Sequence, residues 1–221
     1  MGPARIAAGA VLRWPHDDRP LRVIAHDSGV VMYDTWWPHL GRWGLADLGE
    51  VKKRRVSYYV ATASALREKA AYVRSEPLTK DEVALHRPDL PFAVGQCEVL
   101  SWPAEAPEST EALARRRRAA GGPEGEALGV SEAYLLPFGP KGRERAGVRV
   151  EADNGTSFSC DELVWKAAVV QAPLVRAGAS VPGIGIYRSG VYRGIPAYYL
   201  WGAQSRLHDQ IASQAARSGT G

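Results

Sequence analysis

Apolar and polar positions along the chain fall in short runs cut by turn residues. Ala10-Val11-Leu12-Arg13-Trp14 is followed by the turn-forming Pro15-His16-Asp17-Asp18. Then come Leu21-Arg22-Val23-Ile24-Ala25-His26, an Asp27-Ser28-Gly29 turn, and Val30-Val31-Met32-Tyr33-Asp34-Thr35-Trp36. Runs rich in β-branched and aromatic residues between such clusters predict an antiparallel meander. A turn-to-turn spacing of roughly 8–12 residues favours a sandwich or barrel over a parallel sheet. Residues 36–49, rich in Trp and Gly, read as a loop or short helix, and residues 56–60 as a further strand.

Helical signals are fewer. Residues 63–73 hold good helix formers, with Leu66, Ala70 and Val73 on one face. Thr79-Lys80-Asp81-Glu82 has the capping-box spacing, in which hydroxyl and carboxylate satisfy exposed backbone N–H groups. Pro88 ends that helix, because it disfavours helical geometry in the residue before it. Residues 97–102 read as a strand, and residues 109–120 as a helix stopped by Gly121-Gly122. In the second half, residues 133–136 and 148–151 read as strands. Asp153-Asn154-Gly155 predicts a tight turn that returns residues 156–158 beside 148–150. Residues 163–170 are ambiguous: Ser159 and Glu162 fit a second capping box, yet Val164, Trp165, Val169 and Val170 favour strand. Residues 183–201 read as a hairpin and 203–217 as a closing helix.

The pattern predicts a β-dominated α+β fold, with small twisted antiparallel sheets or partly open barrels closed by short helices. Composition shifts towards Pro, Glu, Ala, Arg and Gly over residues 104–127. The expected organisation is therefore an N-terminal β-rich domain with two short helices (1–103), a linker or exposed insertion (104–127), and a C-terminal β-rich domain ending in a helix (128–221).

Overall charge changes this picture little, since the formal net charge is only +4. Its distribution is more informative. Residues 51–75 carry seven basic residues and one acid, whereas residues 76–110 carry seven acids and two bases. Basic blocks lie at Lys52-Lys53-Arg54-Arg55, at Arg115-Arg116-Arg117-Arg118, and in the hairpin, where residues 173–206 hold four arginines and no acid. Four consecutive charges on a helix point all round it, so the run at 115–118 reads as a solvated segment. Two cysteines, Cys97 and Cys160, with no zinc-type spacing point to a reducing compartment. With no run of about 20 apolar residues to span a bilayer, the expected location is the cytoplasm.

Three functional readings follow from these residues. The leading one is a nucleic-acid-binding or accessory protein without catalytic activity. Phosphates would meet Lys52, Lys53, Arg54, Arg55, Arg188 and Arg193, with Tyr187 and Tyr192 beside them to stack on bases. Trp36, Trp37 and Trp43, within eight residues, form a candidate aromatic pocket. The second reading is a protein-interaction module, an inhibitor or assembly subunit, using the same Tyr, Trp and Arg surface. The third is a metal-dependent nuclease in which Asp34 and Glu50 hold a cation and Lys52 stabilises the phosphate. No cofactor is called for, and no resident metal outside the third reading. Histidine, serine and glycine spacings fit no hydrolase or dinucleotide motif.

Overall fold

A computed structural model of the chain describes residues 6–47, 55–103, 105–122, 124–175 and 181–200. Its elements in chain order are β1 (Ala10–Arg13), β2 (Leu21–Asp27), β3 (Val30–Trp37), β4 (Arg42–Gly44), β5 (Ala46–Asp47), β6 (Arg55–Ser57), β7 (Tyr59–Thr62), α1 (Ala63–Lys69), β8 (Ala71–Ser75) and α2 (Lys80–His86). There follow β9 (Ala93–Trp102), α3 (Thr110–Ala119), β10 (Glu132–Leu136), β11 (Val148–Glu151), α4 (Cys160–Gln171), β12 (Val181–Tyr192) and β13 (Ile195–Leu200). The fold is sheet-rich α+β, and no barrel closes among the described residues. The chain divides into two compact units, Met1–Phe92 with Ser189–Gly194, and Ala93–Arg188 with Ile195–Gly221.

The first unit is built on the expected meander. Its sheet runs β4-β3-β2-β1-β8, with β7 also on β3. One face carries Leu12, Leu21, Val23 and Val31, covered by Ala63 and Leu66 of α1. α1 starts where the Thr62 hydroxyl accepts from the Ala65 N–H. It ends at Lys69, four residues short of the expected helix, and residues 71–75 form β8 against β1. α2 follows its sequence signal. The Thr79 hydroxyl accepts from the Glu82 N–H at 3.2 Å, and the Glu82 carboxylate accepts from the Thr79 N–H at 2.8 Å. Residues 190–192 of β12 pair with β6, which also pairs with β5.

The second unit is organised around a sheet in which β10 lies antiparallel to β11 and parallel to β13, and β12 lies between β13 and β9. α4 packs against β9 and α3. The ambiguous stretch at 163–170 is helical, because Ser159 caps it and Leu163, Val164, Ala167 and Ala168 form one buried stripe.

Residues 105–122, within the expected linker or exposed insertion, contain α3. Leu113, Ala114 and Arg117 of α3 are buried, and the Trp165 indole N–H donates to the Pro107 carbonyl at 2.9 Å. The first division between the compact units falls after Phe92. The Asp153–Gly155 turn forms, but residues 156–158 do not return along β11. Asn154 Oδ1 accepts from the backbone of Thr156 and Ser157, turning the chain towards the Ser159 cap, and Phe158 bridges Leu128 instead. The helix expected at 203–217 lies outside the described residues.

Candidate functional site

The hairpin between β12 and β13 reverses at Arg193-Gly194, with φ of 51° and 83°. Two consecutive left-handed residues are what a two-residue hairpin turn matched to strand twist requires, a position where Asn-Gly is favoured. Arg193 is a long, β-carbon-bearing residue in that slot, and it is exposed. Its guanidinium carbon lies 5.4 Å from the ring centroid of half-buried Tyr192, within cation–π range. Across the ladder, Tyr192 is the register partner of Arg55, Val191 of Val56, and Gly190 of Ser57. The Tyr58 N–H donates to the Ser189 carbonyl at 3.0 Å and extends the same pairing. Arg55, the last residue of one basic block, thus pairs through its backbone with the end of the strand that leads to Arg193, more than 130 residues away in sequence. Lys52, Lys53 and Arg54 immediately precede Arg55 in sequence and lie outside the described residues.

The other half of the expected hairpin surface is not on the surface. Tyr187 and Arg188 are fully buried. A reversal flanked by Arg188 and Arg193 would leave both free to reach phosphates, but β12 continues to Tyr192, so Arg188 is a mid-strand residue with buried neighbours Ile186 and Tyr187. Tyr187 stacks on Tyr199 with ring centroids 5.5 Å apart, and burial pushes its phenol well above the usual tyrosine range. Of the hairpin residues singled out from sequence, Tyr192 and Arg193 remain within reach of solvent.

The three tryptophans do not line one pocket. Trp36 and Trp43 are register partners on β3 and β4 and meet edge to face at 5.4 Å. Trp37, the next residue along β3, turns to the other face, as strand alternation dictates, beside His39. Its ring covers Gly44, where a β-carbon would approach to 3.0 Å.

Beside Trp36 and Trp43 lies a connected polar network that sequence spacing did not disclose. Arg22 and Asp34 are opposed across β2 and β3. Arg22 Nη2 donates to Asp34 Oδ2 at 2.7 Å and to Glu82 Oε1, from α2, at 2.6 Å. The Trp43 ring sits 4.8 Å from the Arg22 guanidinium carbon, and its indole N–H donates to Glu76, which Arg74 also engages. Burial raises the Asp34 carboxyl to about 6 against the opposing pull of Arg22. Burial also pushes Glu82 upwards, but its hydrogen bonds from Arg22 and Thr79 and the charge of Arg22 outweigh this and hold it at about 2. Asp34 is thus enclosed and bonded through both oxygens to Arg22. Glu50 and Lys52, its expected partners in a nuclease-like site, lie outside the described residues.

The run at 115–118 also divides. Arg117 turns inward and its guanidinium pairs with Asp161, whereas Arg115, Arg116 and Arg118 are exposed. A further basic cluster, Lys141, Arg143 and Arg145, stands on the loop between β10 and β11. It was not visible as a run because Gly142 and Glu144 interrupt it. Among the described residues, no group of three His, Cys, Asp or Glu side chains is placed to hold a metal, and no helix is long and apolar enough to cross a membrane. No family model, curated protein or solved structure matches the chain.

Proposed function

We propose that this protein binds nucleic acid without catalysing a reaction on it, and that the tip of the β12–β13 hairpin is its contact surface. The supporting observation is the juxtaposition of Arg55, Tyr192 and Arg193. One basic block leads into the strand that pairs with the end of another, at a turn where an exposed arginine holds a left-handed conformation better suited to Asn or Gly. Unfavourable backbone geometry retained in an exposed position points to a use for the side chain. The working set is Lys52, Lys53, Arg54, Arg55 and Arg193 on phosphates, with Tyr192 presenting its ring beside Arg193. Tyr187 and Arg188 have structural roles in this reading. The cytoplasm is the proposed location, which accords with two buried cysteines that form no disulfide.

Phosphate contacts release counterions, so affinity should fall steeply as salt rises. Fluorescence anisotropy against single-stranded, duplex and structured nucleic acid at two salt concentrations tests this. Salt-sensitive binding supports the reading. Absence of binding to DNA and RNA at low salt ends it and leaves the protein-interaction reading, for which a stoichiometric, salt-insensitive protein partner is the expected finding.

A further inference from the structure

We propose that the loop joining β10 to β11, residues 137–147, is a second and independent phosphodiester-binding site, formed by Lys141, Arg143 and Arg145 in the second unit. It shares with the hairpin tip only the chemistry of the ligand.

The base of this loop is fixed to a degree that a merely solvated loop does not need. The Gln171 side chain, buried at the end of α4, accepts from the Phe138 N–H at 3.0 Å and donates to the Phe138 carbonyl at 2.8 Å. A single amide thus satisfies both backbone groups of one residue, as a neighbouring strand would. Above it, Phe138 bridges Glu144. The Gly139 N–H donates to the Arg143 carbonyl, the Gly142 N–H to the Gly139 carbonyl, and the Arg145 N–H to the Pro137 carbonyl, each at 2.8 Å. Gly139 also makes room for a cation. A β-carbon there would come within 2.5 Å of Arg145 Nε, so its absence lets the Arg145 guanidinium fold over the loop base.

On this braced frame the three cations are exposed, and none is ion-paired among the described residues. Next to it on β11, Arg149 is neutralised by Glu132 at 2.6 Å and Glu151 at 3.3 Å. Three unneutralised cations held by an ordered backbone suit successive phosphates, because little conformational entropy remains to be lost on binding. No exposed aromatic ring accompanies them in the loop, so contact with the sugar–phosphate backbone, without base stacking, is the fitting chemistry.

The test is anisotropy of a labelled short duplex DNA across a salt series. It compares the full chain with a Lys141→Gln/Arg143→Gln/Arg145→Gln variant, with Arg193→Asn, and with a charge-matched Arg13→Gln/Arg67→Gln/Lys69→Gln control. The loop variant should bind more weakly, with a log–log salt slope shallower by about 2–3, since each lost phosphate contact removes about 0.9. The control should keep the slope. An unchanged slope in the loop variant, or an equal loss in the control, overturns the proposal. So does selective displacement of the DNA by inorganic phosphate at constant ionic strength, which would mark a site for free phosphate. A loop effect with no Arg193→Asn effect preserves this site and removes the hairpin-tip reading; the converse removes this one alone.

Discussion

Arg22 and Asp34 face each other across β2 and β3 with Nη2 2.7 Å from Oδ2, and each side chain is only 3% exposed. Glu82, 60 positions from Arg22 in sequence, completes the set from the first turn of α2. The same carboxylate that caps the helix therefore also fastens it to the sheet. Replacing Arg22 by Met leaves Asp34 buried without its cation and removes the tie to α2. Losing one partner of a buried pair costs about 3–5 kcal/mol. Urea unfolding of Arg22→Met should show a loss in that range. A change below about 1 kcal/mol, the ceiling typical of a surface pair, would mean that the network is peripheral to stability.

The two carboxylates on Arg22 titrate in opposite senses. Asp34, raised to about 6, binds its proton more tightly in the folded chain than in the unfolded one. Its contribution to stability is fully present below its unfolded value and is lost as pH rises through 6. Glu82, held at about 2, contributes above its ordinary value of 4.5, and that contribution is lost as pH falls towards 2. Together they favour folding most at about pH 4 to 5. Urea midpoints should therefore fall as pH rises from about 4 to 6 and level off above, and Asp34→Asn should flatten that decline. An undiminished decline in the variant would assign it to other groups.

Within α3, adjacent arginines should behave differently. Arg117 is buried against Asp161, so Arg117→Met should cost about 3 kcal/mol, the lower end for such a pair because Asp161 is partly exposed. Arg116→Gln should stay within about 0.5 kcal/mol, as exposed substitutions do. Thermal or urea unfolding of the two variants reads the contrast directly. Equal effects would contradict the inward placement of Arg117.

Local chemistry was legible in the sequence where it was self-contained. The Thr79–Glu82 capping box, the meander from β1 to β3 and the turn at Asp153–Gly155 each depend on residues a few positions apart. What depended on long-range contact was not. A carboxylate that fits a capping box gives no sign that Arg22 will also bind it, and an arginine in a strand reads as an edge charge until both faces of the strand are seen to be covered, as at Arg188. Residues 71–73 looked helical by continuity with the stretch before them, but Tyr72 and Val73 suit a strand, and pairing of residues 71–75 with β1 decided the outcome. The meeting of Arg55 with Tyr192 was expected only as a convergence of basic blocks, and its register belongs to the fold.

Arg193 allows the functional claim to be separated from stability. Its left-handed conformation disfavours a side chain with a β-carbon, and Asn tolerates it better. Arg193→Asn should therefore leave the fold unharmed or stabilise it by up to about 1 kcal/mol. The same change should remove one phosphate contact, weakening nucleic-acid binding and reducing the log–log salt slope by about 1. The most direct measurement is the salt dependence of DNA affinity for the wild-type chain and for Arg193→Asn, with urea unfolding of both. Weaker binding, a shallower slope and undiminished stability are the expected result. Unchanged affinity and slope in a stably folded variant would contradict the role assigned to the hairpin tip.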